Sequence, residues 1–138
     1  MIVVDASVWL SSLIEQDANH RSTIRWQNSW PVDGFEIHVP GIAIVEIGGG
    51  VARRTNSDAA GYHAVQAVID HPSVRVQEMT TELIMKSAAL AIELRLRGAD
   101  STYVALANLM NAPLVTWDRE QRERASRVIS SFTPRDFD

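Results

Sequence analysis

The sequence predicts an α/β protein: one domain over residues 1–138, with a central, mainly parallel sheet and helices on both of its faces. Short β-branched runs that end at a polar or turn residue recur along the chain, as expected of strands buried in a parallel sheet. Stretches with apolar residues at helical spacing lie between these runs, and this alternation favours parallel strands covered on both faces. The hydrophobic fraction of 46% is sufficient for a core.

In the first half of the chain, turn residues separate two predicted strands from four predicted helices. Pro31 and the Asp33-Gly34 pair end the second helix, and Pro40 ends the second strand, because proline and glycine interrupt regular structure. Ser57 or Asp58 is expected to cap the fourth helix. The strands are predicted at residues 1–5 and 36–39, and the helices at 6–14, 17–30, 42–54 and 58–70.

The second half of the chain continues the alternation. A strand is predicted at 74–77, and the long helix that follows, at 81–97, is expected to stop at Gly98, because glycine is common just after a helix. The remaining elements are predicted as a helix at 100–111, a strand at 114–117, a helix at 119–127 and a strand at 128–132. The apolar positions expected on the inner face of the long helix are Leu83, Ile84, Ala88, Ala91, Ile92 and Leu94.

Four acids stand where an active site is expected in this fold. Asp5 ends the first strand, Asp118 ends the strand at 114–117, and Asp100 opens a helix. Glu46 lies early in its helix among isoleucines and valine. Because ligands of open parallel sheets bind outside the carboxyl ends of the strands, we expect the four acids to meet there.

Each acid also has a purely structural interpretation. Asp5 and Asp100 can be helix N-caps, worth about 1 kcal/mol each, and Asp118 can be a turn residue before a helix. Glu46 is the hardest to explain in this way, since an acid among aliphatic residues is rarely buried without a partner. The four together favour a shared site over coincidence.

A cluster of acids constrains the chemistry. Two carboxylates about 4 Å apart repel by about 4 kcal/mol near a protein surface, so a cluster must take up protons or cations. The chain has no cysteine, and its histidines lack paired spacing, which leaves oxygen ligands suited to Mg²⁺ or Mn²⁺ rather than to zinc. The expected reaction is attack of a metal-activated water on a phosphodiester.

The net charge of −4 does not exclude a nucleic-acid substrate, because twelve of the thirteen basic residues are arginines, whose planar group suits phosphate. Arg53, Arg119 and Arg122 follow two of the acids and could contact RNA phosphates. The alternative is a solvated helix face, particularly after Asp118, where opposite charges alternate.

Two hydroxyl residues near the acids are candidates for supporting roles. Thr116 lies two residues before Asp118 and would share its strand face, so its hydroxyl could hold the carboxylate or a metal-bound water. Ser7 lies two residues after Asp5. The structural alternatives are strand propensity for Thr116 and a helix cap for Ser7.

Three consecutive glycines, Gly48, Gly49 and Gly50, follow Glu46 within a predicted helix. Each costs about 1 kcal/mol relative to alanine in a helix interior, so they require a compensating reason. They either clear space for a phosphate or permit another helix to pack closely, and we favour packing.

The cellular location is expected to be cytoplasmic. The first ten residues carry Asp5 rather than a basic segment followed by an apolar one, and the chain lacks cysteine. The longest weakly polar run, 39–52, is interrupted by Glu46 and is too short to cross a bilayer.

Four segments in order resemble the PIN-domain family, and within it the VapC-type ribonuclease toxins of type II toxin–antitoxin pairs. The resemblance covers essentially the whole chain and implies a Rossmann-like, three-layer α/β/α fold. It also implies a homodimer that cleaves single-stranded RNA and is inhibited by a small antitoxin. The segments are Ile2-Val-Val-Asp-Ala-Ser-Val-Trp9, Val45-Glu-Ile-Gly-Gly-Gly-Val-Ala-Arg53, Arg97-Gly-Ala-Asp-Ser-Thr-Tyr-Val-Ala-Leu-Ala107 and Ala112-Pro-Leu-Val-Thr-Trp-Asp118.

The resemblance further implies roles for the acids. Asp5 and Asp100 would be direct ligands of Mg²⁺, for which Mn²⁺ could substitute. Asp118 would bind the metal directly or through water. Glu46 would orient the attacking water or bind a second ion.

Other functions remain open on sequence grounds. One is a PIN nuclease of RNA processing that is not a toxin. Another is a PIN-fold interaction module without activity, which the presence of all four acids disfavours. A phosphatase with an aspartyl nucleophile would show a D-x-D pair after the first strand, whereas here Asp5 is followed by Ala6 and Ser7.

Overall fold

A five-stranded parallel sheet forms the centre of the computed structural model, which describes residues 1–30 and 34–137. The strand order is β3-β2-β1-β4-β5, and each neighbouring pair is parallel, which confirms the predicted α/β class. The strands are β1 (Ile2–Val4), β2 (Ile37–Pro40), β3 (Val74–Gln77), β4 (Leu114–Val115) and β5 (Ser131–Phe132).

The helices of the described residues follow the predicted order. The second helix covers His20–Asn28 rather than the predicted 17–30, and the turn residues Pro31 and Asp33 lie outside the described residues. No helix in the described ranges has the length and apolar character needed to cross a bilayer. The helices are α1 (Ala6–Leu13), α2 (His20–Asn28), α3 (Ile42–Thr55), α4 (Asp58–Ile69), α5 (Thr81–Leu94), α6 (Gly98–Met110) and α7 (Arg119–Ala125), and a 3₁₀ turn covers Pro134–Phe137.

The predicted boundary between α5 and α6 is wrong. Helix α5 ends at Leu94, and Arg95 adopts the left-handed conformation, with φ of 55°, that was expected of a glycine. Gly98 instead begins α6, after Arg97 at its N-cap position. As a result Asp100 is the third residue of α6 rather than the residue that caps it.

The inner face of α5 also differs from the prediction. Leu83 and Leu94 are buried as expected, but Ile84 is 49% and Ile92 is 66% exposed. Apolar residues occupy two faces of this helix, so the pattern alone could not decide which face packs. The buried face is Leu83, Ser87, Leu90 and Leu94.

The central strand β1 fixes where the first acid lies. Val3 and Val4 are fully buried, and the Asp5 N–H donates to the Val115 carbonyl at 3.0 Å. This register places the residue after β1 beside the carboxyl end of β4. The chain segment that leaves β4 at Thr116 therefore passes directly alongside Asp5.

Close helix packing explains two of the three consecutive glycines. A Cβ atom on Gly48 would lie 2.8 Å from Val65 Cγ2 on α4, and one on Gly50 would lie 2.7 Å from Leu10 Cδ2 on α1. The packing interpretation is therefore confirmed for these two. A Cβ atom on Gly49 would only touch the Arg53 guanidinium, at an ordinary 3.5 Å.

We predict that Gly61→Ala, on the α4 side of this contact, lowers the free energy of unfolding by about 1–3 kcal/mol. The new Cβ would lie 2.9 Å from the Gly48 carbonyl oxygen, a backbone atom that cannot rotate away. Urea denaturation measures the loss. Gly98→Ala is the control, since its Cβ meets no atom within 4 Å. Equal stability of the two variants would contradict close packing of α3 on α4.

Candidate active site

Asp5 lies between the end of β1 and the start of α1, and its side chain is almost completely buried. Its Oδ2 accepts from the Ser7 backbone N–H at 2.9 Å, which caps α1. Oδ2 also accepts from Thr116 Oγ1 at 3.3 Å, and Oδ1 accepts from Gln121 Nε2 at 3.4 Å. Burial raises the pKa of Asp5, and these hydrogen bonds oppose the rise. The cap interpretation is correct for Asp5 but accounts for only one of its contacts.

Two hydroxyl groups connect this carboxylate to the segment after β4. Ser7 Oγ lies 3.3 Å from Thr116 Oγ1 and accepts from the Trp117 backbone N–H at 3.0 Å. Ser7 is therefore not the cap of α1, which is Asp5. Thr116 and Asp118 do not share a strand face, because β4 already ends at Val115. Instead, Thr116 Oγ1 accepts from the Asp118 backbone N–H at 3.0 Å.

Asp118 is the N-cap of α7, whereas its structural interpretation was a turn residue before that helix. Its Oδ1 accepts from the Gln121 backbone N–H at 2.9 Å. The cap places its carboxylate near Asp100, whose pKa its charge raises.

Glu46 has a partner on another helix. The hydroxyl of Tyr103, a fully buried residue of α6, donates to Glu46 Oε1 at 2.7 Å. Partial burial raises the pKa of Glu46, the tyrosine bond opposes this, and the charge of Asp5 adds to the rise. Glu46, an unusual acid among aliphatic neighbours, is thus held by a specific hydrogen-bond donor.

The charges of all three other acids act on Asp100, which lies in the first turn of α6. Its pKa is raised from 3.8 to about 6, first by burial and then by the charges of Asp5, Asp118 and Glu46 in that order. Arg97 only partly opposes the rise. The four predicted acids therefore lie within electrostatic range of one another, at the edge of the sheet where β1 and β4 end.

The donor chemistry of this cluster fits a hard divalent cation. The side chains offer carboxylate and hydroxyl oxygens, and the charge on Asp100 is incompletely compensated. Within residues 1–30 and 34–137, however, no three acidic or histidine side chains stand close enough to form a ready-made metal shell. The fit thus comes from donor type and excess negative charge rather than from preformed coordination.

The three candidate arginines differ in their surroundings. Arg119 is exposed and pairs with Glu123 at 2.7 Å, one helical turn away, as the solvated-face interpretation expects. Arg122 is partly buried, and its Nε has no hydrogen-bond partner among the described residues. Arg53 is exposed in the last turn of α3, on the helix that carries Glu46. Contact with RNA phosphates stays a prediction for all three.

Sequence reasoning missed Tyr103 and Gln121, which both contact the acids. Each lies three residues after an aspartate, Asp100 or Asp118, and residues at this spacing share a helix face. That spacing was the available signal. It could not distinguish a buried contact from ordinary core or surface positions.

The family model of the PIN domain matches residues 2–126, and the chain belongs to this family. Its sequence is similar to those of VapC ribonucleases. Ribonuclease VapC9 of Mycobacterium tuberculosis and a VapC ribonuclease of Mycobacterium bovis are each 34% identical to it in an alignment 127 residues long. Each alignment covers 86% of this chain and 86% of the relative.

Solved structures share the fold. VapC20 of Mycobacterium tuberculosis, a toxin that cleaves the sarcin–ricin loop, superposes with a TM-score of 0.76 at 22% identity, over 88% of this chain and 92% of that one. The FitAcB structure from Neisseria gonorrhoeae gives a TM-score of 0.74 at 17% identity, over 97% and 98% of the two chains. These likenesses extend to the three-layer arrangement of helices around a parallel sheet.

We predict that Asp100→Asn stabilises the metal-free protein in a pH-dependent way. Because the pKa of Asp100 is about 6 in the folded chain and 3.8 ordinarily, the folded state binds the extra proton between these values. The stability that protonation of Asp100 gives the wild type is therefore fully present below the lower pKa and is lost as the pH rises through the higher pKa. The advantage of the variant should grow across this interval and then level off.

Urea denaturation in EDTA, at steps from about pH 4 to about pH 8, measures this difference in the free energy of unfolding. Asp58→Asn, in the exposed first turn of α4, is the control and should show no such growth. Added Mg²⁺ should reduce the advantage of Asp100→Asn, since a cation relieves the same repulsion. A constant difference across the whole pH range would refute the proposed crowding of charge on Asp100.

Proposed function

We propose that this chain is a divalent-metal-dependent endoribonuclease, the toxin of a VapBC-type toxin–antitoxin pair, built as one domain over residues 1–138 and active in the cytoplasm. The observation that carries the proposal is the charge of three acids acting on Asp100. Such an arrangement concentrates negative charge, and a bound cation can relieve the repulsion. Membership of the PIN family and similarity to proteins named VapC ribonucleases support RNA as the substrate.

Asp5 and Asp100 are the residues that would hold Mg²⁺ directly, with Mn²⁺ as a substitute. Asp118 would bind it directly or through a water. When bound, the cation supplies positive charge to the scissile phosphate and lowers the pKa of a coordinated water. The hydrogen bonds from Ser7 and Thr116 keep the Asp5 carboxylate in a fixed orientation for this purpose.

Glu46 is the candidate general base. Its Oε1 is held by Tyr103, which leaves Oε2 to take a proton from the attacking water. Burial and the charge of Asp5 raise the pKa of Glu46, so its carboxylate is a stronger base than an exposed glutamate. As the water oxygen bonds to phosphorus, one phosphorus–oxygen bond to ribose breaks and the departing oxygen takes up a proton from solvent. Glu46 then returns its proton to solvent.

RNA would approach across the exposed helix ends around the acids, where Arg53, Arg119 and Arg122 are candidate phosphate contacts. The proposed partners are a cognate antitoxin and a second copy of the chain. Similarity to a structure described as a toxin–antitoxin complex, from Klebsiella pneumoniae, and to the VapBC-1 structure from nontypeable Haemophilus influenzae supports the antitoxin.

We predict that Asp5→Asn and Asp100→Asn each reduce RNA cleavage by at least about a hundredfold while the protein stays folded. Purified protein is incubated with total cellular RNA and Mg²⁺, and the cut ends are mapped. EDTA should stop cleavage, and Mg²⁺ or Mn²⁺ should restore it. Asp58→Asn serves again as the control. Cleavage that persists in EDTA would exclude the proposed mechanism.

The same variants separate a toxin from a housekeeping nuclease. Expression of the wild-type chain alone should arrest growth, and expression of Asp5→Asn should not. A short neighbouring gene that encodes a DNA-binding segment and an arginine-bearing tail should relieve the arrest. If cells that express the active wild-type enzyme grow normally, the toxin role is excluded and only the nuclease activity is retained in the proposal.

We predict that Tyr103→Phe lowers kcat about tenfold and leaves KM unchanged, because the hydroxyl orients Glu46 rather than binding RNA. The free energy of unfolding should fall by about 1 kcal/mol through loss of the hydrogen bond. Steady-state cleavage of a labelled RNA and urea denaturation measure the two effects. Tyr62→Phe is the matched control, since the chain has two tyrosines and Tyr62 is 79% exposed. Equal kcat in both variants would contradict the assigned role.

A further inference from the structure

One buried residue contacts three of the four acidic residues, two through its side chain and one through its backbone N–H. Gln121, in the first turn of α7, is 0% exposed. Its Nε2 donates to Asp5 Oδ1 at 3.4 Å and to the Asp100 backbone carbonyl at 3.2 Å. Its backbone N–H donates to Asp118 Oδ1 at 2.9 Å. The residue therefore connects the ends of β1 and β4 to the start of α6.

Helix capping does not explain this side chain. Asp118 and Gln121 have the spacing of a capping box, in which the glutamine side chain returns to the backbone N–H of the cap residue. In this chain the Asp118 N–H donates instead to Thr116 Oγ1 at 3.0 Å. The amide group of Gln121 is thereby released from the helix end and is directed toward Asp5.

Core packing does not explain it either. Gln121 Oε1 is buried and has no hydrogen-bond partner among the described residues, which is unfavourable for a buried carbonyl. A methionine or leucine would fill a similar volume without that cost. Both partners of Nε2, a carboxylate and a carbonyl, accept hydrogen bonds, so the amide must present its NH₂ group to them.

We infer that Gln121 is a positioning residue that holds the Asp5 carboxylate beside Asp100 so that the pair can bind a divalent cation. This inference rests on the proposed function. A neutral amide suits the task because it orients an ionised carboxylate without cancelling its charge. An arginine or lysine at this position would form an ion pair with Asp5 and compete with the cation.

The test is the affinity of the full-length, metal-free protein for Mn²⁺, measured by titration calorimetry. Gln121→Met keeps the length and removes the donor, and it should raise the Kd about 10- to 100-fold, as loss of a group that orients a metal ligand typically does. High Mg²⁺ should restore RNA cleavage in Gln121→Met but not in Asp5→Asn, whose ligand itself is changed. A purely structural role would alter stability and leave the Kd unchanged.

Gln77→Met is the matched control. Gln77 Nε2 lies 2.9 Å from His38 Nδ1, so this variant also loses a glutamine side-chain bond, but between β2 and β3 rather than beside the acids. Its Kd should equal that of the wild type. If Gln121→Met does not fold, Gln121→Asn, which keeps a shorter amide, replaces it, and a raised Kd is again expected.

A second measurement detects the contact between Gln121 and Asp5 in the absence of metal. In the NMR spectrum of the ¹⁵N-labelled wild type, the side-chain NH₂ signals of Gln121 should shift in Asp5→Asn, while those of Gln77 should not. The inference about Gln121 would be overturned if the Gln121 signals did not shift. It would also be overturned if Gln121→Met, or its replacement Gln121→Asn, had the same Kd as the wild type. Neither result would affect the proposed function. A wild-type protein that binds no Mn²⁺ would overturn the proposed function and this inference together.

Discussion

Repulsion among four carboxylates is the constraint on which the rest of this structure depends. The parallel sheet brings chain ends together at one edge, and this places Asp5 beside the segment that carries Asp118. Helix α6 then adds Asp100, whose pKa is raised first by burial and then by the charges of the other three acids. Stability alone favours separating such charges or pairing them with cations, so their crowding supports the proposed metal site.

Besides the partial compensation that Arg97 gives Asp100, helix dipoles offset this repulsion. Asp5 caps α1, Asp118 caps α7, and Asp100 lies in the first turn of α6, so three helix N-termini face the acids. Each such end favours a negative charge by about 0.3–1 kcal/mol. Neutral donors supply the remaining contacts. The ion pairs recorded for the described residues involve none of the four acids, which leaves their charge available to a cation.

The sequence predicted the parallel sheet and the convergence of the acids because both follow from short-range patterns. Strand ends mark the positions of Asp5 and Asp118, and parallel topology makes such ends meet. The α5–α6 boundary was missed because Arg95, not Gly98, takes the left-handed conformation. Such a choice depends on tertiary packing. Gln121 was missed for a related reason, since its partner Asp5 lies 116 residues away in the chain.

The double role of Asp5 determines how function and fold can be separated. Its Oδ2 caps α1 and also belongs to the proposed metal site. Removing the side chain would therefore remove a cap worth about 1 kcal/mol together with the charge. Asparagine keeps a capping oxygen and removes the negative charge, while its NH₂ group replaces the oxygen that accepts from Gln121. At Asp118, asparagine likewise keeps the oxygen that caps α7. Asp100 caps no helix, so at that position the charge acts on the site and on stability without a contribution from capping.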